Sequence, residues 1–369
     1  MPEPSPAPTG LPADGPLRLT PEGLYCVPAK AWIDPWRPVP RALITHAHAD
    51  HARAGSGSYW ASTASEGVLR ARLGANLPLA TLPYGDPLRL GGARISFHSA
   101  GHVLGSAQIL IEAAGERWLI SGDYKRDADP SCAPFTPVQA DVFISEATFS
   151  LPIYQWAPGA AVAREILHWW QGAPGHPSVL FCYAFGKAQR VLAELHALGV
   201  REEVLLHGAM QGLMGPYREA GIAMVPTAPV SAVPKGQSLA GRLTLAPPSA
   251  QRTPWMRRFA QAQTAFASGW MTVRGVRRRR GVGRGFVLSD HADWSSLVRT
   301  IVETGARRVY LTHGQGDSLA RYLQEVQGMD VQPLRSGEAG AWSRQEELSG
   351  ESAPASSTPS SPLAEVTGG

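Results

Sequence analysis

Short apolar runs separated by glycine and polar turns fill the first half of the chain. Residues 42–44 form one such run, and 94–98, 108–112, 117–121 and 141–145 form others. Each has the length and side-chain content of a strand. The pattern changes after residue 160. Val162, Ile166, Leu167 and Trp170 recur at helical spacing, which predicts a helix over 160–171. A buried-strand run follows at 178–183, then a second amphipathic helix at 187–198. Residues 226–254 are rich in proline, alanine and glycine, broken by a strand candidate at 242–246. The chain then reads as strand, helix and strand over 285–289, 294–304 and 307–312. Alternation of this kind predicts an α/β protein with a parallel sheet unit.

Polar residues of unusual chemistry sit where these strands end. Thr45-His46-Ala47-His48-Ala49-Asp50-His51 follows the run at 42–44 and packs three imidazoles and a carboxylate into six residues. A lone buried histidine is usually a hydrogen-bonded core residue. Four groups of this type on one tight turn are instead what an open, catalytic zinc site uses. His102, in Ser99-Ala100-Gly101-His102-Val103-Leu104-Gly105-Ser106, is a further candidate, as are Asp123 in Ser121-Gly122-Asp123-Tyr124-Lys125 and His313 in Leu311-Thr312-His313-Gly314. With His291 in Ser289-Asp290-His291-Ala292-Asp293, six of the 11 histidines fall in such motifs, which argues for one shared site. His98, His168, His176, His196 and His207 share no ligand motif and are assigned to packing.

Composition narrows the class. The 369 residues suffice for two domains or one large one. Hydrophobic content of 44% with 17% charge is ordinary for a globular chain, and a net charge of +4 permits an anionic partner without demanding one. The 3 cysteines form no CxxC pair, so neither a disulfide framework nor a thiolate zinc site is expected. No signal core or membrane-length apolar run is evident, which points to a cytoplasmic protein without a membrane partner. The proline-rich start and the Ser/Pro/Ala-rich tail are expected to be disordered.

The ordered set His-x-His-x-Asp-His, His102 and Asp123 resembles the metallo-β-lactamase superfamily. Within it, Glu146 in Ser145-Glu146-Ala147-Thr148, the turn Ala184-Phe185-Gly186-Lys187, and the His291 and His313 motifs resemble the β-CASP nucleases. Ile33-Asp34-Pro35-Trp36-Arg37-Pro38, Ser268-Gly269-Trp270-Met271 and Leu288-Ser289-Asp290-His291-Ala292-Asp293-Trp294 are similar to the bacterial DNA-ligase-associated exonuclease family. The resemblance covers about residues 20–345. It implies an α/β fold, a metallo-β-lactamase αββα sandwich with an inserted β-CASP α/β domain. Its implied boundaries are a disordered start at 1–18, the first part of the metallo-β-lactamase domain at 19–160, the insert at 161–284, the return segment at 285–345 and a disordered tail at 346–369.

The resemblance also implies a function: a two-metal nuclease, a DNA exonuclease in repair beside an ATP-dependent DNA ligase and a helicase. The alternatives are an RNA-processing β-CASP ribonuclease and a small-molecule metallohydrolase. The implied ligands are His46, His48, His102 and Asp123 for one divalent ion and Asp50, His51, Asp123 and His313 for the other, with Asp123 bridging. Zinc is expected from the imidazoles, with manganese or iron as alternatives. Asp34 would orient the site, and His291 with Glu146 would serve the leaving oxygen.

Substrate contacts are expected from two basic segments. Arg277, Arg278, Arg279 and Arg280 form the densest positive run, suited to phosphate; a solvated basic loop is the bland alternative. Lys187 and Arg190 open a predicted helix after Gly186, where free N–H groups favour phosphate, unless they are ordinary surface charge. Tyr183, Phe185 and Trp270 could stack bases but are better explained by core packing.

Overall fold

The computed structural model describes residues 10–334 except Ala13 and Gln315. Three sheets occur among the described residues. The first runs in chain order through Leu17–Thr20, Gly23–Cys26, Ala31–Ile33, Ala42–Leu43, Tyr59–Ser62 and Leu79–Leu82. The second has the order Asp330–Pro333, Arg308–Thr312, Val142–Glu146, Glu116–Ile120, Ala107–Ala113, Ala93–Ser99 and Pro87–Leu90.

Alternating side chains explain how these two sheets meet. Leu24, Ile33 and Leu43 from the first pack against Ile95, Ile109, Trp118 and Ile144 from the second in one buried cluster. The opposite face of the second sheet, with Leu119, Phe143 and Val309, is covered by Leu297 and Ile301 of helix Trp294–Glu303 and by Leu319 and Leu323 of helix Asp317–Gln327. Helix Glu66–Leu73 lays Val68 and Leu69 against Tyr59 and Ala61 on the outside of the first sheet. The result is an α/β protein with two sheets between outer helices.

The third sheet comes from the chain between Val142–Glu146 and Arg308–Thr312. Its order is Thr227–Pro229, Val204–Leu206, Leu243–Ala246, Ser178–Phe181, Gln263–Ala267 and Arg284–Phe286, and every pairing is parallel. All four residues of Ser178–Phe181 are buried, as a strand covered on both faces requires. Helices Gly159–Gln171 and Lys187–Ala197 cover one face, and their cluster continues to the outer side of the first sheet.

Leu17 and Arg18 fall in the start expected to lack structure, yet they pair with Cys26 and Tyr25, and Leu17 is fully buried. The basic run 277–280 lies on a short helix, Arg274–Arg280, rather than a loop. Residues 1–9 and the tail 346–369, both expected to be disordered, lie outside the described residues. No described helix is long and apolar enough to cross a membrane.

Candidate metal centre

Topology gathers the polar strand ends. Glu116–Ile120, Val142–Glu146 and Arg308–Thr312 are parallel neighbours, so their C-terminal ends share one edge of the sheet. Ala93–Ser99 lies two antiparallel steps away and therefore points the same way. Asp123, Glu146, His313 and His102 thus arrive together. Ala107 donates its N–H to the Thr45 carbonyl at 2.8 Å, which brings the His46 turn of the first sheet to the same edge. Gly122 (φ 55°) makes the approach possible: a Cβ there would lie 2.6 Å from the Thr45 Cβ.

Asp123 stands at the middle, 2% exposed. Its Oδ2 lies 3.4 Å from His46 Nε2 and 3.7 Å from His102 Nε2. Its Oδ1 lies 3.5 Å from His51 Nε2 and 3.8 Å from His313 Nδ1. The two oxygens therefore face different donors. One group holds His46, His48, His102 and Asp123, and another holds Asp50, His51 and His313, with the donor atoms of each group within 4.8 Å of one another. His291 and Glu146 form a third group with Asp123.

The outward nitrogens are braced. His51 Nδ1 lies 2.7 Å from Asp34 Oδ2, and Asp34 also accepts from Thr45 N at 2.8 Å and Thr45 Oγ1 at 2.5 Å. Thr45 Oγ1 in turn lies 3.1 Å from His46 Nδ1. The Asp290 carbonyl is 2.6 Å from His102 Nδ1, and the Phe185 carbonyl is 3.3 Å from His48 Nε2. Bonds of this kind fix which ring nitrogen carries the proton and aim the other inward. His46 Nε2 and His51 Nε2 are buried without a hydrogen-bond partner among the described residues. His48 Nδ1 and His102 Nε2 lie only 3.1 Å apart. Buried imidazole nitrogens and carboxylate oxygens that converge on one another fit divalent cations.

Electrostatics agree with that fit. Burial pushes His46 and His102 well below the usual imidazole pKa, and His48 and His313 down to about 4. His51 behaves differently. Burial works against its charge, but Asp123, Asp50 and Asp34 raise it well above the ordinary value. Asp50 reaches about 2: burial opposes its ionisation, and His51 and His48 outweigh burial.

Glu146 is buried and accepts from Tyr124 N and Thr148 Oγ1, each at 2.6 Å, and faces His291 Nδ1 at 2.9 Å. His291, Asp50, His102 and Asp123 line a cleft of about 140 Å³ together with Phe149 and Trp270. Tyr183 and Phe185 reach the same cleft, although Phe185 is fully buried and packs with the core.

Sequence reasoning misplaced two residues. Lys187 reaches the cleft lining and Arg190 does not, and both are held by carboxylates rather than open to solvent as surface cations. Lys187 is 3% exposed and pairs with Asp290 at 2.7 Å; Arg190 is 2% exposed and lies 3.3 Å from Asp290 and 3.4 Å from Asp129. The carboxylates that hold them, Asp129 and Asp290, and the buried Lys125 went unnoticed in the sequence. Their only signal is position, Lys125 two residues after Asp123 and Asp290 beside His291. Arg277, Arg278 and Arg279 are exposed, and Arg280 stacks over Phe266 with its guanidinium carbon 4.8 Å from the ring centre. His207 is not among the clustered donors; it caps the turn Gly208–Leu213 by accepting from Ala209 N.

No family model matches the chain. It is 31% identical over 358 residues to a probable DNA ligase of Opitutus terrae, a match covering 91% of this chain and 34% of that protein. It is 31% identical over 130 residues to the endoribonuclease YSH1 of Saccharomyces cerevisiae, covering 35% of this chain and 15% of that one. The Kluyveromyces lactis endoribonuclease YSH1 gives 32% over the same length. The chain thus spans only 34% and 15% of the ligase and endoribonuclease relatives. A solved structure of a protein of unknown function from Enterococcus faecalis shares the fold, with a TM-score of 0.54, 11% identity, and 80% of this chain and 79% of that chain covered. The sequence matches thus relate the chain to part of a probable DNA ligase and to a segment of two endoribonucleases.

Proposed function

We propose that this chain hydrolyses phosphodiester bonds with two divalent cations, and that its substrate is DNA, shortened from an end during repair beside an ATP-dependent ligase. The observation that carries the hydrolytic reading is Asp123, whose two oxygens face two separate histidine groups. His46, His48, His102 and Asp123 would hold one cation; Asp50, His51, Asp123 and His313 would hold the other. Imidazole-rich donors without thiolate favour zinc. When bound, such a pair supplies water activation and neutralises phosphodiester charge.

The chain's own residues do the rest. Asp34 keeps the His51 ring oriented, directly and through Thr45. Glu146 accepts the Nδ1 proton of His291, and its carboxylate would stabilise the doubly protonated ring, whose Nε2–H is then the proton donor for the leaving oxygen in the cleft. Phe149 and Trp270 form an aromatic wall beside it, their ring centres 4.7 Å apart, on which a base can stack. The parallel sheet unit at 161–284 is the β-CASP domain in this reading, and its exposed Arg277, Arg278 and Arg279 steer the phosphate backbone.

The likeness to a probable DNA ligase over 91% of the chain favours DNA. RNA is the second reading, favoured by the likeness to the endoribonuclease YSH1. End-labelled single- and double-stranded DNA and RNA, each with and without zinc or manganese, separate the two. Metal-dependent shortening of DNA from one end is the expected result. A ladder on RNA alone moves the activity to the second reading, and cleavage that survives metal removal overturns both.

A further inference from the structure

Two of the three histidines in the first group are braced by segments that follow strands of the third sheet, not by the two sheets that carry them. His48 Nε2 faces the Phe185 carbonyl at 3.3 Å, and Phe185 belongs to the turn before helix Lys187–Ala197. His102 is held at both ends. Its Nδ1 meets the Asp290 carbonyl at 2.6 Å, and its own carbonyl accepts from Lys125 Nζ at 3.2 Å.

Arg190, on that same helix, joins these braces. Its guanidinium donates to the Ser289 carbonyl and lies 3.3 Å from Asp290 Oδ1 and 3.4 Å from Asp129 Oδ2. Asp129 in turn takes Lys125 at 2.5 Å, and Asp290 takes Lys187 at 2.7 Å. None of these five side chains is more than 6% exposed. The turn fits closely, since a Cβ on Gly186 would lie 2.5 Å from the Val103 side chain, one residue after His102. The second group has a different support: His51 leans on Asp34, within the sandwich.

We infer that Arg190 is a positioning residue for one cation site only: from the inserted sheet unit it sets the ring of His102, and so completes the His46–His48–His102–Asp123 site, while Asp50, His51 and His313 of the other site do not lean on it. The inference rests on the two-cation reading above. Loss of a supporting bond of this kind typically weakens a metal site roughly 10–100-fold. Physically, without the fork of Arg190 the segment Ser289-Asp290 loses a charge-assisted tether. The Asp290 carbonyl then drifts, and His102 loses its fixed tautomer.

The test titrates cobalt(II) into the full, metal-stripped chain, following both heat and the visible absorption that reports coordination geometry. His102→Ala and His313→Ala identify which step belongs to which site. In Arg190→Met the first-site step is expected to weaken roughly 10–100-fold with an altered spectrum, while the second-site step keeps its wild-type affinity. Arg190→Lys, which keeps the charge but not the fork, should recover part of the loss, and it decides the matter if Arg190→Met does not fold. Equal weakening of both sites, or wild-type affinity at both, in whichever variant folds overturns the inference. A wild-type chain that takes up no cation overturns the two-cation reading and this inference with it.

Discussion

Asp34→Asn replaces one carboxylate oxygen by an NH2 group and should disturb both metal sites. Asp34 adopts φ 44°, a left-handed conformation that asparagine tolerates, so the backbone has no reason to move. Thr45 N–H fixes the amide's orientation, because it needs the remaining oxygen at 2.8 Å. The new NH2 then faces Thr45 Oγ1 and His51 Nδ1, which lie 2.5 and 2.7 Å from the present Oδ2. His51 Nδ1 must become an acceptor, so the neutral ring keeps its proton on Nε2, the nitrogen now 3.5 Å from Asp123. Thr45 Oγ1 can no longer donate to residue 34, so it turns its hydrogen to His46 Nδ1, 3.1 Å away, and flips that ring's tautomer too. One amide thus blocks a lone pair in each group. By the usual effect of losing such support, each cation should bind roughly 10–100-fold more weakly, about 1.4–2.7 kcal/mol. Isothermal titration with zinc, on protein whose circular dichroism is unchanged, measures this. Two cations bound at wild-type affinity would refute the tautomer argument.

Cation binding at pH 7 should release about one proton, that of His51, whose charge Asp123, Asp50 and Asp34 sustain against burial. His48 and His313, at about 4, are already neutral there and release none. Because the raised group is protonated below its pKa, affinity at that site should climb as pH rises towards that pKa; titrations in buffers of different ionisation heat count the protons, and none released would contradict the assignment. His291→Ala should lower kcat roughly 10²–10⁴-fold with both cations retained; cation loss in that variant would place His291 among the ligands instead. Replacing Arg277, Arg278 and Arg279 by Gln should flatten the salt dependence of nucleic-acid binding by about 0.7–0.9 log units per lost phosphate contact. An unchanged slope would remove that helix from the interface.

The donors were legible because their signal is local. His46, His48, Asp50 and His51 lie within six residues, and the glycines beside His102, Asp123 and His313 mark tight strand ends. The long helices were legible for the same reason, since Gly159–Gln171 and Trp294–Glu303 each carry a regular apolar stripe. What brings the donors together was not. The support of His102 depends on Asp290, 188 residues away, and Arg190 meets Asp290 at a separation of 100. No local pattern marks such pairs, so Lys187 and Arg190 read as phosphate-binding cations at a helix start. Strands as short as Leu17–Thr20 and Gly23–Cys26, four residues each and close to a proline-rich start, carry too little periodicity to be separated from loop. Arg274–Arg280 has no apolar stripe at all, and its helix was unreadable from pattern.

The central claim is that one buried carboxylate joins two cation sites. Atomic spectroscopy of the reloaded and dialysed chain should find two cations per wild-type molecule and none tightly held in Asp123→Ala, because both groups lose a ligand at once. Two cations retained in the variant, or one retained at wild-type affinity, would contradict it.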